Sequence, residues 1–250
     1  MTTGHKMTVG LKVTGGFMLL NLPSDVMPES RKEREFKLRE KDILNAATTL
    51  FLANGLDSVT VADIAKATDI GKGTIYKHFT SKDAVLAQLA NNFSYDVLQK
   101  VKTIDSTLPA TEQMREMLEV CFMAHVEEPL MSEISRRYHQ ASFFERLPEQ
   151  AKTHCLAIEG EYFVILQNIF SKGIENNELP NASIDELLLG AHATFTGALE
   201  MLHSKQFHCF SESPSISQER FIKIIINYTM TGLFGQSMAG DINTSGESHE

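Results

Sequence analysis

The sequence predicts an all-α fold, in which a small N-terminal helical unit precedes a larger helical body. Apolar residues recur at helical spacing along most of the chain, and the alternation typical of strands is hard to find. Two short helix signals, separated by a tight turn, lie between Thr60 and Lys82. The 250 residues are enough for one small and one larger helical domain, each with its own core.

The first short helix begins at a capping box. Thr60 and Asp63 have the spacing at which each side chain can accept a hydrogen bond from the other residue's backbone N–H. The helix ends in a turn at Asp69 and Gly71, because aspartate tolerates and glycine favours the left-handed backbone conformation. Its predicted buried residues are Val61, Ile64 and Ala65.

The second short helix is predicted from Lys72 to Phe79, with Ile75 and Phe79 one turn apart on its buried side. Thr80 or Ser81 then caps a third helix. The exposed side of the second helix carries Lys72, Thr74, Tyr76, Lys77 and His78. This is a helix-turn-helix motif at about residues 59–78, and its second helix has the size and polarity that a DNA major groove accepts.

These residues resemble the DNA-binding domain of the tetracycline-repressor (TetR) family. The matching pattern is Thr60, Ile64-Ala65, Ile70-Gly71-Lys72-Gly73-Thr74-Ile75-Tyr76, His78-Phe79 and Ser81-Lys82. The preceding helix follows the family pattern at Ile43-Leu44, Ala46-Ala47, Leu50-Phe51 and Asn54-Gly55. The resemblance covers residues 39–86, about a fifth of the chain. The sequence departs from the family at Asp69, where Gly is frequent, and at Gly71, where Ser is frequent.

The resemblance implies how the motif would contact DNA. Thr60 and Lys82 would hold phosphates, through a hydroxyl at a helix start and an ammonium group. Tyr76 and His78 would add phosphate hydrogen bonds. The positions that would approach the groove are Gly71, Lys72, Gly73, Thr74 and Lys77, with Lys72, Thr74 and Lys77 as the predicted base readers.

The resemblance also implies the organisation of the whole chain. It predicts an N-terminal three-helix helix-turn-helix DNA-binding domain and a C-terminal helical domain for ligand binding and dimerisation. The predicted boundaries are 1–35 for a disordered or partly basic extension, 36–96 for the DNA-binding domain, 97–236 for the regulatory domain and 237–250 for a disordered tail.

The distribution of charge is compatible with a DNA partner, although the formal net charge is −9. Residues 28–82 contain ten lysines or arginines against eight acidic residues, whereas residues 83–250 contain eleven against twenty-three. DNA binding requires a local basic face, and an acidic body turned away from the duplex only discourages non-specific contacts.

The N-terminal residues allow several interpretations. The stretch from Met7 to Leu22 is fairly apolar, but as a signal peptide it lacks an evident cleavage site, and it is too short and interrupted to span a membrane. It would otherwise be a disordered extension, or sequence upstream of a start at Met18 or Met27. The basic residues of 31–41 would follow phosphates or a minor groove. Three interspersed glutamates are equally compatible with a solvated helix face.

The body is predicted to contain further helices separated by prolines. One short helix after Pro129 would contain Ile134, Tyr138 and Phe143-Phe144. A long helix would begin at Pro148 and end near Lys172, with Leu156, Phe163, Leu166 and Phe170 inside. The other predicted helices are Ala84 to Ile104, Thr111 to Val126, Ile184 to His203 and Gln218 to Phe234.

The last two helices are predicted to form a dimer interface. The helix 184–203 is rich in small residues, which let helices approach closely, and 218–234 is strongly apolar. Together they suggest an intersubunit four-helix bundle, with a core helix pair within one chain as the alternative. The predicted interface residues are Gly190, Ala193, Gly197, Ala198, Phe221 and Ile225.

A set of aromatic and methionine residues is a candidate ligand pocket. It comprises Phe93, Phe122, Met123, Tyr138, Phe144 and Phe163. Aromatic residues at helical spacing are more often ordinary core, and it is the resemblance that favours a pocket, because bodies of this family commonly enclose one.

No catalytic or metal site is predicted. His203, His208 and Cys209 lack a standard ligand spacing, and His125, His154 and Cys155 lack an orienting acid and oxyanion donors. The scattered Cys121, Cys155 and Cys209 fit reduced cytosolic thiols better than a disulfide framework.

The sequence therefore predicts a cytoplasmic, homodimeric, ligand-responsive transcriptional regulator, and not an enzyme. Its partners would be an inverted-repeat DNA operator, a second copy of the chain and an unidentified small molecule, with no cofactor and no membrane. The alternatives are a helical cytosolic enzyme and a protein-interaction module without specific DNA binding. Lys72, Tyr76 and Lys82 disfavour the module, because it has no need of phosphate ligands.

Overall fold

The computed structural model describes residues 30–180, 182–204 and 216–235, and within these residues all regular secondary structure is helical. This confirms the all-α prediction. The helices are α1 (Arg31–Asn54), α2 (Val61–Ala67), α3 (Lys72–His78), α4 (Lys82–Val101), α5 (Ala110–Glu127), α6 (Pro129–Tyr138), α7 (Ala141–Phe144), α8 (Glu149–Glu175), α9 (Ile184–Ser204) and α10 (Gln218–Phe234). None of the described helices is long and apolar enough to cross a membrane.

The chain divides between Arg39 and Glu40 into two units. In the first unit the described residues are the exposed start of α1. Ser30 and Glu33 cap this start, because the Ser30 N–H donates to Glu33 Oε2 at 2.8 Å and the Glu33 N–H donates to Ser30 Oγ at 3.2 Å. The basic stretch is therefore helical and exposed from Arg31 onward, and both interpretations of it stay predictions. The predictions for residues 1–29 and 237–250 lie outside the described residues.

The second unit contains two hydrophobic clusters, and the first surrounds the helix-turn-helix motif. It contains the buried face of α1 together with Ile64 of α2, Ile75 of α3 and Val85 of α4. The same cluster also includes residues from later in the chain: Ile134, Tyr138, Phe143, Leu147 and Cys155. The core beneath the motif is thus completed by α6, α7 and the start of α8.

The second cluster is the core of the remaining body. It is formed by the end of α4 with α5, α8, α9 and α10, and its most buried side chains include Phe122, Phe170 and Met230. Helix α4 belongs to both clusters, since residues 85–90 pack in the first and residues 93–101 in the second. Its N-cap is Ser81, whose Oγ accepts a hydrogen bond from the Ala84 N–H at 3.1 Å.

Two details of the predicted body are wrong. The single helix expected after Pro129 is two helices, α6 and α7, since the chain leaves the helical ladder after Tyr138 and a new helical turn starts at Ala141. Leu156 and Phe163 of α8 are 57% and 46% exposed rather than inside. Helix α8 has apolar residues on more than one side, so their helical spacing could not identify the buried face, which contains Cys155, Ile158, Ile169 and Phe170.

The turn between α2 and α3 depends on one residue with a left-handed backbone. Asp69 has φ of +52°, which confirms the role predicted for it. Gly71 has φ of −59° and is the N-cap of α3, so the turn does not use its conformational freedom. The Ile70 N–H donates to the carbonyl oxygen of Ala65 at 3.1 Å and closes the turn.

We expect Asp69→Val to be less stable than Asp69→Gly by about 1–2 kcal/mol in free energy of unfolding. A β-branched side chain collides with the backbone at positive φ, whereas glycine has no Cβ. Urea unfolding followed by circular dichroism measures the difference. Gly71→Ser is the control and should be at least as stable as the native chain, because φ there is ordinary and serine is a good N-cap. Equal stability of the two Asp69 variants would contradict the assigned conformation.

Candidate nucleic-acid interface

Helices α2 and α3 are held together by a small apolar contact. Ile64 of α2 and Ile75 of α3 have no exposed surface, and Phe79, the C-cap of α3, is also buried. Thr68 closes α2 by donating from Oγ1 to the carbonyl oxygen of Ile64 at 2.9 Å. Because α3 is anchored through Ile75 and Phe79, its opposite face points away from the core.

That opposite face of α3 is polar, basic and free of acidic side chains. Lys72, Tyr76 and Lys77 are exposed, with Tyr76 51% exposed, and Thr74 and His78 are half-buried. A Cβ at Gly73 would meet no atom within 4 Å, so the backbone there is open to a close approach from outside. The predicted burial of Ile75 and Phe79 and the predicted exposure of Lys72, Tyr76 and Lys77 are confirmed, whereas Thr74 and His78 are only partly exposed.

Thr60 forms the predicted capping box, and this limits its availability to DNA. Its N–H donates to Asp63 Oδ2 at 2.9 Å, its hydroxyl donates to the same oxygen at 2.6 Å, and Oγ1 accepts from the Asp63 N–H at 3.3 Å. These hydrogen bonds hold the pKa of Asp63 below its usual value. A hydroxyl has one proton to donate, so a hydrogen bond from Thr60 to a phosphate would require this proton to leave Asp63.

Lys82 lies at the start of α4 and also makes an intramolecular contact. Its Nζ donates to the carbonyl oxygen of Asp57 at 3.3 Å, in the loop between α1 and α2. An ammonium group has three protons, so this contact leaves donors for a phosphate. The predicted phosphate residues Thr60 and Lys82 therefore both flank α2 and α3 while taking part in the local structure.

The predicted ligand-pocket residues do not form one group. Phe93 and Phe122 are buried in the second hydrophobic cluster. Tyr138 and Phe144 belong to the first cluster, beside the helix-turn-helix motif. Met123 and Phe163 are exposed. Only Phe93 and Phe122 thus share a core within the body.

A polar chain that the sequence did not indicate lies next to Phe93. His125 Nδ1 lies 2.8 Å from Ser132 Oγ, which lies 3.0 Å from His203 Nε2. The ring of His125 packs edge-on against Phe93 and Phe195, with centroid distances of 5.0 Å and 6.0 Å. Burial lowers the pKa of His125 to about 4 and also lowers that of His203, so both are neutral at pH 7.

This polar chain does not have the geometry of a hydrolase triad. Glu133 Oε2 lies 3.9 Å from His203 Nδ1, which is too long for a hydrogen bond. Its carboxylate accepts instead from the guanidinium groups of Arg136 and Arg137. Ser132 is buried, and in the described part of the chain the hydrogen-bond partners of its Oγ are the two histidines, with no pair of N–H donors that would form an oxyanion hole.

The described residues contain no group of three or more His, Cys, Asp or Glu placed to hold a metal ion. His208 and Cys209, which were weak candidates, lie outside the described residues. Cys121 and Cys155 are free thiols, and burial raises the pKa of each to about 12.

The predicted dimer residues divide between an exposed face and the core. Gly190, Ala193 and Gly197 of α9 are exposed, next to the exposed Leu189. Ala198 and Phe221 are buried within the chain, and Ile225 is half-buried. On α10 the exposed apolar residues are Ile224 and Tyr228, one turn apart.

Comparison with known proteins identifies the N-terminal part of the second unit. Residues 43–89 match the family described as bacterial regulatory proteins, tetR family. The repressor KstR2 of Rhodococcus jostii is 38% identical over 66 residues, which cover 26% of this chain and 32% of that protein. An uncharacterized HTH-type transcriptional regulator of Haemophilus influenzae is 28% identical over 113 residues, which cover 45% of this chain and 60% of that protein.

A solved structure extends the likeness in fold to most of the chain. A TetR-family transcriptional regulator from Syntrophomonas wolfei superposes with a TM-score of 0.59 at 18% identity, covering 82% of this chain and 99% of that one. The chain thus shares the fold of these regulators, whereas its similarity in sequence to the curated relatives spans about one third to three fifths of their length.

We expect Thr60→Ala to lower the free energy of unfolding by about 1 kcal/mol, and Thr60→Ser to retain most of the native value. The full decrease in the free energy of unfolding should be observed at pH values above the carboxylate pKa of the unfolded chain. It should become smaller as the pH falls through the lowered folded-state pKa of Asp63, because the protonated acid accepts less well from the Thr60 hydroxyl. The hydrogen bond from the Asp63 N–H to Thr60 Oγ1 does not depend on this proton, so part of the loss should persist. Urea unfolding at several pH values measures this. Thr80→Ala is the control, since Thr80 is exposed and caps no helix; equal losses in both variants would contradict the assignment.

Proposed function

We propose that this chain, which carries a TetR-family DNA-binding domain, is a cytoplasmic transcriptional regulator that represses by binding an inverted-repeat operator as a dimer. The observation that carries the proposal is the exposed face of α3. It is basic, has no acidic residue and projects from a helix-turn-helix within the residues that match the family. A helix with these properties fits the width of a major groove.

In this proposal the side chains of α3 divide into base readers and phosphate ligands. Lys72, Thr74 and Lys77 read base edges, since lysine can donate to guanine O6 or N7 and threonine can contact either partner of a pair. Tyr76 and His78 donate to phosphates and fix the register of α3 on the duplex. The ammonium group of Lys82 adds a contact to the phosphate backbone of the DNA. Gly71 and Gly73 permit α3 to approach the groove closely.

We further propose that α9 and α10 form the dimer interface. The support is the exposed face of Gly190, Ala193 and Gly197, which offers backbone close to the surface, beside the exposed Ile224 and Tyr228 of α10. Two copies of such a helix pair can bury these side chains in a four-helix bundle. The dimer then presents two copies of α3 to successive major grooves.

The effector in this proposal is a small molecule of unknown identity that binds within the body. Phe93 and Phe122 are its proposed contacts, because they share the body core. Phe93 packs against the ring of His125, and Phe122 packs against Phe195, which also packs against His125. Tyr138, Phe144, Met123 and Phe163 stay predictions. Effector and operator would oppose each other by about 1–3 kcal/mol, and the coupling would be reciprocal.

We expect Tyr76→Phe to weaken binding to all sequences by about three- to tenfold, because it removes one phosphate hydrogen bond. Thr74→Ala or Lys77→Ala should also change the preferred sequence. Selection from a random duplex library, followed by footprinting and titration, measures both effects. The native chain should select an inverted repeat.

Tyr95→Phe is the matched control for Tyr76→Phe, since Tyr95 is an exposed tyrosine on α4 outside the motif. It should bind DNA as the native chain does. Failure of the native chain to enrich any sequence would overturn the proposed function. Equal losses in Tyr76→Phe and Tyr95→Phe would overturn the role given to Tyr76.

We expect Gly197→Arg to convert the dimer to a monomer while leaving each chain folded. Within one chain a Cβ at Gly197 meets no atom within 4 Å, so arginine there should favour α9 by about 1 kcal/mol in helix propensity. At a helix–helix seam the same charge would be buried without a partner. Light scattering and circular dichroism measure the two effects. Gly160→Arg on α8 is the control and should stay dimeric; a native chain that is monomeric at micromolar concentration would refute the interface.

A further inference from the structure

An ion pair at Arg137 connects the body to the loop that precedes the helix-turn-helix motif. This arginine lies on α6, and its partner Asp57 lies 80 residues earlier, in the loop that leads into α2. Arg137 Nη1 donates to Asp57 Oδ1 at 2.6 Å, and Nη2 donates to Oδ2 at 3.2 Å. The contact is therefore bidentate, which fixes direction as well as distance.

Glu133 holds the arginine in the orientation that this contact needs. Glu133 lies one turn before Arg137 on α6, and its Oε1 accepts from Arg137 Nε at 2.9 Å. The side chains of Arg137 and Glu133 are only 30% and 28% exposed. An isolated surface ion pair contributes little, but the Arg137 guanidinium is pre-oriented by a neighbour on the same helix and is much less exposed than Asp57, which is 83% exposed.

Asp57 lies in a loop whose position affects the positions of α2 and α3. Its carbonyl oxygen accepts from Lys82 of α4, and its neighbours Leu56 and Val59 are buried in the first hydrophobic cluster. Helix α2 starts four residues later, after the cap at Thr60. A displacement of Asp57 therefore reaches α2 directly, and α3 through the contact between Ile64 and Ile75.

The other end of the ion-pair chain reaches α9. Glu133 also accepts two hydrogen bonds from Arg136, both at 2.9 Å, and Arg136 Nη1 lies 3.7 Å from Glu200 Oε2 on α9. The adjacent Ser132 contacts His125 of α5 and His203 of α9. Helix α6 is thus tied to α5 and α9 through Ser132 and Arg136, while the neighbouring Arg137 holds the loop before α2.

We propose that Arg137 is a positioning residue for DNA binding, which, oriented by Glu133, transmits the position of α6 to the helix-turn-helix motif through Asp57. This inference rests on the proposed function. It adds a second connection between the body and the helix-turn-helix motif. The first is α4, whose residues belong to both hydrophobic clusters. Arg137 does not touch DNA in this account; it acts on the loop that sets α2 and α3.

The sharpest test is Asp57→Asn, because charge and positioning predict opposite results. Asp57 is 83% exposed, so removing its negative charge near the DNA-binding motif should strengthen DNA binding if charge alone matters. The positioning account instead predicts about tenfold weaker binding to the selected duplex, since the bidentate contact is lost. Arg137→Gln should weaken binding by a similar factor, and the double variant should lose little more. Arg137→Lys, which keeps the charge and lacks the fork, should bind as weakly as Arg137→Gln.

Two further measurements separate positioning from other roles. The dependence of affinity on salt should keep the native slope in Arg137→Gln, whereas loss of a direct phosphate contact would reduce it by about one. Amide hydrogen exchange of residues 55–60, measured without DNA, should be faster in Asp57→Asn and Arg137→Gln. The matched control is Asp83→Asn, which removes the ion pair between Asp83 of α4 and Arg146 of the segment between α7 and α8; it should leave exchange at 55–60 unchanged.

Weaker DNA binding by Asp57→Asn together with faster exchange at 55–60 would support the proposal. Native or tighter DNA binding by Asp57→Asn, or native exchange at 55–60, would overturn it. If the native chain selects no DNA sequence, the proposed function fails and the transmission to DNA falls with it. The exchange measurement then still decides whether Arg137 holds the loop.

Discussion

A single hydrophobic cluster around Ile64, Ile75 and Ile134 fixes the helix-turn-helix motif against later helices of the chain. Ile64 and Ile75 anchor α2 and α3, and Ile134 and Tyr138 of α6 complete the same core. The two short helices of the motif bury little apolar surface by themselves, so these additional contacts fix the orientation of the motif as well as stabilise it. The orientation of the exposed face of α3 is fixed because Ile75 and Phe79 on the opposite side are buried in this cluster. The ion pair between Arg137 and Asp57 adds a polar contact between α6 and the loop before α2, at the edge of this cluster.

The features predicted correctly from the sequence are those determined by local interactions. Three examples depend only on neighbours within a few residues. They are the capping box of Thr60 and Asp63, the left-handed backbone of Asp69, and the burial of Ile75 beside the exposed Tyr76 and Lys77. The match to a known family rests on the same segment. Of the proposed site, the basic face of α3 was therefore visible in the sequence, whereas its DNA contacts stay predictions.

The features that were missed depend on contacts between distant parts of the chain. Leu156 and Phe163 were placed inside because α8 is apolar on several sides, and only packing decides which side is buried. The polar chain from His125 through Ser132 to His203 joins three helices, and the ion pair of Arg137 joins residues 80 positions apart. No periodicity or local motif encodes such pairs. The regulatory part of the account therefore rests on the three-dimensional structure.

We propose that α3 is the DNA-reading element of a dimeric regulator, and a crystal structure of the chain bound to a duplex that it selects would test this. We expect two chains on one duplex, with Lys72, Thr74 and Lys77 of each chain facing the edges of bases in a major groove. A complex in which α3 faces solvent, or in which a different surface contacts the duplex, would contradict it.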